Sequence, residues 1–354
     1  MRIGILTFPG SPSFGASLQM TALYYALKKE KVDVEIINYM NLYMLNKKHF
    51  STSMLQRLKS SIANLLSRQG AREFKKFEEE ITLFPKAQVH DVKSLKKLSS
   101  RYDFVICGSD QVWNPLVTGF DLSYLFSFLE NDYKKIAYAA SFGLNDLPTE
   151  CIEDYRRELK KFHRISVREE RGQEIVKELV GQKCDLVIDP SMLLTRAEWE
   201  RKIVPYENLP QHYIVKFIFN YNKEVEESIE ELQKKTGLPI LTIGGTFFSK
   251  FKNELFTGAI GPQKWLYIIK NADYVVTDSF HGAAFSIIFE KNLFVSLKSS
   301  TNSRLVTLCN NFGLNDRIVP NNSLNSVIDY TIVNEKMKKM REESLAFLRE
   351  AIGK

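Results

Sequence analysis

The sequence predicts an α/β protein with two domains, each built on a parallel β-sheet. Short apolar runs, nearly continuous rather than strictly alternating, recur between longer segments with helical periodicity. Such runs are typical of strands buried on both faces of a parallel sheet, with helices between them. A chain of 354 residues is also too long for one comfortable hydrophobic core, which favours two domains.

The predicted elements fall into two groups, with a boundary near residues 190 to 205. The first group of strands is Arg2–Phe8, Val32–Asn38, Phe104–Cys107, Ile136–Ala140, Arg164–Val167 and Leu186–Ile188. The second group has strands at Tyr213–Phe219, Pro239–Ile243, Tyr274–Thr277 and Leu293–Leu297, and helices at Glu224–Lys235, Pro262–Asn271, Ala283–Glu290 and Asn334–Ala351. We therefore assign residues 1–195 to an N-terminal domain and residues 196–354, with the terminal helix, to a C-terminal domain.

Residues 41–100 interrupt this alternation and predict a helical insertion in the N-terminal domain. Apolar residues from Met54 to Leu66 recur there at helical spacing among lysines and arginines. Two alternatives remain open for this segment: a helix packed on a core, and an amphipathic helix lying on an anionic membrane surface.

Net charge and composition limit the kinds of binding partner that the sequence predicts. The net charge of +7 favours anionic ligands or surfaces, but the basic residues are scattered without an aromatic platform, so we expect no nucleic-acid partner. The four cysteines show no CxxC spacing, which predicts neither a metal cage nor a disulfide framework. Because the sequence has neither a secretory signal nor an apolar run of the ~20 residues that span a bilayer, it predicts a cytoplasmic protein. Peripheral contact with the inner face of the membrane stays open.

Two loops that follow predicted strands in the N-terminal domain carry ligand-binding features. In parallel sheets, ligands gather at the carboxyl ends of strands, near helix N-termini. The loop at residues 8–19, FPGSPSFGASLQ, contains small residues that let backbone amides approach a ligand, and it is neither a GxGxxG motif nor a P-loop. The loop at residues 107–115, CGSDQVWNP, offers side chains that suit a sugar: Ser109, Asp110, Gln111, Trp113 and Asn114. The alternative for the second loop is a capped turn with a core tryptophan.

Arg168, in the motif SVREE, stands at the end of another predicted strand. A guanidinium there could bind a carboxylate or phosphate through two parallel hydrogen bonds. The alternative is an ion pair with a neighbouring carboxylate such as Glu169 or Glu170.

The segment TDSFHG at residues 277–282 contains one of only five histidines. It reads as the end of a strand followed by the start of a helix, which Asp278 or Ser279 could cap. His281 then lies in the first helical turn, and an ordinary histidine pKa of about 6.5 suits proton transfer at neutral pH. A structural histidine is the alternative. Beyond the next strand, Lys298 and Arg304 could together hold an anion.

Five motifs, taken in their order along the chain, resemble the polysaccharide pyruvyl transferase family. They are GSDQVWNP, SFG at residues 141–143, SVRE, the pair Asp189-Pro190, and TDSFHG. The opening SFGASLQ and the closing segments NSRL and NNFGLNDR are also similar to the family, whereas residues 41–100 are not covered by the resemblance.

The resemblance implies two Rossmann-like domains in an arrangement like that of GT-B glycosyltransferases, with the active site in the interdomain cleft. It implies transfer of pyruvate from phosphoenolpyruvate to a sugar of a cell-surface polysaccharide or of its lipid-linked precursor. The products are a cyclic pyruvate ketal and phosphate. It implies neither a metal ion nor another cofactor.

The resemblance and the chemistry together predict a role for each candidate residue. His281 is the expected acid and base, and Asp110 the expected base on the acceptor side. The expected donor-binding residues are Arg168, Arg304, Lys298 and Ser279. The expected acceptor-binding residues are Gly15, Ser17, Gln19, Ser109, Gln111, Trp113 and Asn114. Ser279 stands where the family often has a basic residue, which leaves more of the donor's charge to Arg304 and Lys298.

Two other functions fit the same residues. A glycosyltransferase of the same architecture would bind a nucleotide sugar, for which Trp265 in GPQKW offers a weak stacking platform. A non-catalytic subunit of a polysaccharide-assembly complex would need no acid or base at all.

Overall fold

The structure is a computed structural model that describes residues 1–45, 61–82, 88–220, 222–244, 251–297, 302–320 and 327–354. The chain divides into two compact units. Unit 1 comprises Met1–Leu65, Phe74–Leu194 and Met340–Lys354, and unit 2 comprises Leu66–Glu73 and Thr195–Lys339. Each unit is an α/β fold with a parallel sheet, so the predicted fold class is confirmed.

Within the described residues, the sheet of unit 1 has six parallel strands in the order β2-β1-β3-β4-β5-β6. The strands are β1 (Arg2–Leu6), β2 (Asp33–Ile37), β3 (Phe104–Cys107), β4 (Lys135–Ala140), β5 (Arg164–Val167) and β6 (Asp185–Leu186). The principal helices are α1 (Phe14–Lys29), α2 (Ser61–Thr82), α3 (Val92–Ser99), α4 (Pro115–Thr118), α5 (Ile152–Leu159) and α6 (Glu170–Val180). Every residue of β3 and β4 is buried, which is why Phe104–Cys107 and Ile136–Ala140 read as continuous apolar runs.

The described part of unit 2 also has six parallel strands, in the order β12-β11-β10-β7-β8-β9. They are β7 (Ile214–Phe217), β8 (Ile240–Thr242), β9 (Glu254–Phe256), β10 (Tyr274–Thr277), β11 (Asn292–Ser296) and β12 (Ile318–Val319). The helices are α7 (Arg196–Glu200), α8 (Lys223–Thr236), α9 (Pro262–Asn271), α10 (Phe280–Ile288), α11 (Ser303–Phe312) and α12 (Tyr330–Ala351), of which α12 ends in unit 1. Counted from β7, this strand order matches that of the Rossmann fold.

The division into units differs in two places from the predicted domains, although its main boundary after Leu194 lies beside the predicted one. The last fifteen residues, Met340–Lys354, group with unit 1, because α12 bonds there: the Ser344 hydroxyl accepts a hydrogen bond from the Ile188 amide. Residues 66–73, inside the predicted insertion, group with unit 2, where the Glu73 carboxylate accepts a hydrogen bond from Gly261 N and pairs with Lys264.

The insertion at 41–100 contains α2 and α3, as a helical pattern predicts, although residues 46–60 and 83–87 lie outside the described residues. Half of the apolar stripe behind the membrane alternative, Met54, Leu55 and Leu58, lies outside the described residues too. None of the helices in the described ranges is both long and apolar enough to cross a membrane.

Candidate functional site

Each sheet has one point at which the strand order reverses direction, and a candidate site lies at each of them. In unit 1 this point is between β1 and β3, and in unit 2 it is between β7 and β10. Because the two connections leave such strands toward opposite faces of the sheet, a crevice opens at their carboxyl ends, where ligands bind. The predicted loops at residues 8–19 and 107–115 follow β1 and β3, and TDSFHG follows β10.

A buried ion pair joins three of the family motifs in unit 1. Arg168 Nη1 lies 2.6 Å from Asp189 Oδ2, and both side chains are fully buried. Ser109 Oγ accepts a hydrogen bond from Arg168 Nη1 at 3.1 Å and donates one to Asp189 Oδ2 at 2.9 Å. Burial alone would lower the pKa of Arg168, but the charges of Asp189, Asp110 and Glu169 outweigh it and raise the pKa.

The position of Arg168 favours the ion-pair alternative, with Asp189 as its nearest partner and Glu169 Oε2 3.8 Å from Nε. Glu169 also accepts a hydrogen bond from the Phe142 amide at 3.0 Å, which ties SVRE to SFG. Direct binding of the donor by Arg168 stays a prediction. A guanidinium that is already paired and closed to solvent is better placed to hold its neighbours than to capture a ligand.

Asp110 is the more exposed carboxylate of this cluster. Its side chain is 17% exposed, and Oδ1 lies 3.8 Å from Arg168 Nη2. The backbone has φ +77°, a left-handed conformation that is uncommon outside glycine and concentrates at functional positions. The Ser141 amide donates to the Asp110 carbonyl at 3.2 Å, and the Gln111 amide donates to Asp110 Oδ1 at 2.8 Å. These two hydrogen bonds hold the conformation of Asp110.

Gln111 and Asn114 interlock with the SFG motif. Asn114 Nδ2 donates to Gln111 Oε1 at 2.8 Å, and Asn114 Oδ1 caps α4 by accepting from the Leu116 amide. Gly143 has φ +63°, and a Cβ atom there would overlap the Gln111 carboxamide. The two motifs are therefore complementary in shape, although they are separated in the sequence.

Trp113 is a core residue. Its side chain is fully buried, the indole N–H donates to the Tyr124 carbonyl at 3.1 Å, and its ring packs against Phe142 and Phe162. This arrangement matches the core alternative for the loop at 107–115 and leaves no face of Trp113 for a sugar to stack on.

The side chain of Glu78, which the sequence analysis did not predict as a site residue, bonds to the first loop at residues 8–19. Glu78 of α2 is 4% exposed; its Oε1 accepts from Ser17 Oγ at 2.7 Å and its Oε2 accepts from the Gly10 amide at 3.0 Å. Gly15, Ser17 and Gln19 are all buried in the first turns of α1. The helical spacing could have indicated its burial, since Glu78 stands one helical turn after Phe74 and next to Phe77, and both phenylalanines are buried.

Gln19 connects the first loop to the second. Its Nε2 donates to Thr7 Oγ1 at 2.9 Å, and Thr7 Oγ1 donates to the Ser109 carbonyl at 3.0 Å. The structure thus brings the loops after β1 and β3 together, as the positions of the strands predict.

In unit 2, the residues of TDSFHG each have a distinct local role. Ser279 caps α10 by accepting from the Gly282 amide at 3.3 Å, while Asp278 does not take this role. Gly282 lets α10 approach β10, because a Cβ atom there would overlap the Thr277 hydroxyl. His281 is the second residue of α10 and is 8% exposed, with its ring 5.2 Å from that of Phe280.

Asp278 joins the loop after β10 to the loop after β7. Its carboxylate accepts from the Phe219 amide at 2.8 Å, the Asn220 amide at 3.0 Å and Asn220 Nδ2 at 2.7 Å. Both loops lie at the point where the strand order of unit 2 reverses.

The remaining predicted positions of unit 2 differ in their accessibility. Arg304 lies in the first turn of α11, which follows β11, the neighbour of β10, and it is half-buried. Lys298 lies outside the described residues. Trp265 of α9 is fully buried against Phe217 and Phe285, so in this conformation it offers no platform for a nucleotide.

The chain belongs to the polysaccharide pyruvyl transferase family, whose model matches residues 14–296. The match covers most of the chain and includes the first five motifs, from GSDQVWNP to TDSFHG. No curated protein matches the chain by sequence.

The solved structures similar to this chain include UDP-GlcNAc 2-epimerase from Methanocaldococcus jannaschii, with 14% identity, a TM-score of 0.51, and coverage of 97% of this chain and 92% of the other. A protein of Listeria monocytogenes assigned as a UDP-N-acetylglucosamine 2-epimerase shows 10% identity, a TM-score of 0.53, and coverage of 97% and 90%. At this identity the similarity shows the fold, which is that of the GT-B proteins.

Proposed function

We propose that the protein transfers pyruvate from phosphoenolpyruvate to two hydroxyl groups of a sugar in a cell-surface polysaccharide or its lipid-linked precursor. The observation that carries the proposal is the position of His281 in the first turn of α10, at the strand-order reversal of unit 2. That position combines a proton-transfer group with the part of the fold where ligands bind, in a chain of the pyruvyl transferase family.

The proposed reaction adds one sugar hydroxyl across the enol double bond and then replaces phosphate with the second. His281 donates a proton to the methylene carbon, which makes the adjacent carbon electrophilic, and the first hydroxyl attacks it. The second hydroxyl attacks the same carbon and phosphate leaves. One hydroxyl proton passes to the departing phosphate and the other to Asp110, which releases it to solvent, while His281 takes up a proton from solvent for the next cycle. The products are a cyclic ketal and inorganic phosphate.

In this proposal, the donor and the acceptor are bound by different sets of residues. Arg304, Lys298 and the Ser279 hydroxyl bind the donor's phosphate and carboxylate, which need cationic partners. Asp110, Gln111, Asn114 and Ser109 serve the acceptor side, and Arg168 positions Ser109 and Asp110 through its contacts with both. The acceptor role proposed for Gly15, Ser17 and Gln19 is to shape the first loop, since all three are buried.

Replacement of His281 tests the proposal. His281→Ala should lower the rate of phosphate release from phosphoenolpyruvate, with a sugar acceptor present, by about two to four orders of magnitude, the usual scale for losing a proton-transfer group. His212→Ala is the matched control, because His212 is in the same unit and is 60% exposed. Among the described residues, its ion pair is with the carboxylate of Asp273. The control should retain the parent rate.

Two results would reject the proposal. An unchanged rate in His281→Ala would remove His281 from the chemistry and favour a non-catalytic subunit. Calorimetric binding of UDP-GlcNAc without binding or turnover of phosphoenolpyruvate would instead favour a nucleotide-sugar glycosyltransferase.

A further inference from the structure

Phe219 is an exposed aromatic residue at the strand-order reversal of unit 2. It lies two residues beyond the end of β7 and is 67% exposed, although most residues of β7 are buried. A single exposed apolar residue is ordinary on a protein surface, so exposure alone indicates no function. The functional argument for Phe219 rests on its fixed position and on its neighbours.

The backbone and the ring of Phe219 are both held in place. The amide donates to Asp278 Oδ1 at 2.8 Å. The ring makes an edge contact with Phe217 at 4.9 Å, and Phe217 in turn packs against the buried Trp265 at 5.7 Å. One side of the ring is thus tied to the core of unit 2, while much of its surface remains open to solvent.

The register of the sheet places Phe219 beside the turn that carries His281. Phe217 of β7 pairs with Thr277 of β10, so Phe219 and Ser279 each stand two residues beyond the same register position. Neighbouring strands lie ~4.8 Å apart. Asp278, a member of the family motif, uses its carboxylate to hold the Phe219–Asn220 segment at this place.

We propose that Phe219 is a stacking platform for the apolar face of the sugar ring that receives the pyruvyl group. This inference rests on the proposed function, since the receiving sugar must meet the carbon next to the one that His281 protonates, and therefore lies near α10. A rigid aromatic face binds the C–H surface of a pyranose while the sugar hydroxyls remain free to react. Asp278 is then a positioning residue, which acts on the sugar through Phe219.

The test compares Phe219→Ala with the conservative variant Phe219→Tyr and with Leu255→Ala. Leu255 is a matched control because it is an exposed apolar residue of the same unit, 41% exposed, on the edge strand β9. Methyl pyranosides of glucose, galactose and mannose are titrated without donor by saturation-transfer NMR, and the best binder is then used as acceptor in the phosphate-release assay.

We expect Phe219→Ala to weaken binding of the pyranoside and to raise the acceptor KM about three- to tenfold, the scale of one aromatic contact. The kcat at saturating acceptor and the KM for phosphoenolpyruvate should stay at the parent values. Phe219→Tyr and Leu255→Ala should match the parent protein, and Asp278→Asn should raise the acceptor KM in the same direction as Phe219→Ala.

Equal pyranoside binding by Phe219→Ala and the parent, or a change in the donor KM instead, would overturn the inference. Loss of UDP binding with unchanged pyranoside binding would also overturn it, in favour of a base-stacking role. If the parent protein binds pyranosides but turns over no phosphoenolpyruvate, the proposed function fails, while loss of NMR binding in Phe219→Ala still supports the platform.

Discussion

Gly143 shows how single residues tie distant motifs of unit 1 together. Its backbone is left-handed, with φ +63°, and the space that a Cβ atom would take is filled by the carboxamide of Gln111. The same carboxamide accepts a hydrogen bond from Asn114. A side chain at position 143 would therefore displace Gln111 from the edge of the candidate site.

Gly143→Ala should destabilise the protein more than Gly181→Ala. Both glycines are left-handed, so alanine costs about 1–2 kcal/mol of unfolding free energy at each. Only Gly143 adds an overlap, since nothing lies within 4 Å of a Cβ at Gly181, and overpacking costs about 1–3 kcal/mol more. Urea denaturation measures the difference, and Gln111→Ala in the Gly143→Ala background should recover the extra loss. Equal destabilisation by the two variants would contradict this account.

At this scale, the sequence predicts which residues gather but not how deeply they are buried. The positions of Ser109, Asp110 and Arg168 after β3 and β5 follow from the alternation of strands and helices. The burial of Arg168 and Trp113 depends on packing between elements distant in the chain, so periodicity left both alternatives open. The short contact of Arg168 with Asp189 has the same origin, since it depends on the sheet register.

The helix α2 is the element whose role the sequence left open. Glu78 on this helix places a buried carboxylate on the first loop, where it bonds with Ser17 and Gly10. The neighbouring Glu79 is 59% exposed and makes only a 3.6 Å pair with Lys75 among the ion pairs of the described residues. Adjacent glutamates of one helix thus differ in burial and in partners.

Glu78→Gln should loosen the first loop and lower stability by about 1–3 kcal/mol, because an amide N–H₂ group would face one of the two donors that the carboxylate now satisfies. Hydrogen exchange should become faster in residues 8–19, and the urea midpoint should fall. Glu79→Gln is the matched control and should change stability by less than about 0.5 kcal/mol. If the two variants exchange alike in this loop, Glu78 does not hold it.

Strands of four or more residues were easier to predict than the short edge strands β9 and β12. Phe104–Cys107, Arg164–Val167 and Tyr274–Thr277 have the bounds that their apolar runs predict. The strands β9 and β12 were missed, because an edge strand of two or three residues has too few buried positions to make an apolar run.

At the scale of the whole molecule, α12 belongs to both units. Its first part, through Lys339, groups with unit 2, where Asn334 Nδ2 donates to Glu290 at 2.8 Å. Its last part groups with unit 1, where Phe347 contacts Tyr138 and Arg349 pairs with Glu30. The sequence predicts the helix but not this division, since helical periodicity does not show which unit each part of an apolar face packs against.

Two core variants on α12 should therefore affect different units. Leu348 is 1% exposed and belongs to unit 1, whereas Met337 is 5% exposed and belongs to unit 2. Truncating either buried side chain to alanine typically costs about 2–5 kcal/mol, and local opening follows the unit that loses the contact. Native-state hydrogen exchange with mass spectrometry should show faster exchange in β1 and β4 for Leu348→Ala, and in β10 and β11 for Met337→Ala. Faster exchange of the same peptides in both variants would mean that α12 stabilises the two units as one cooperative block.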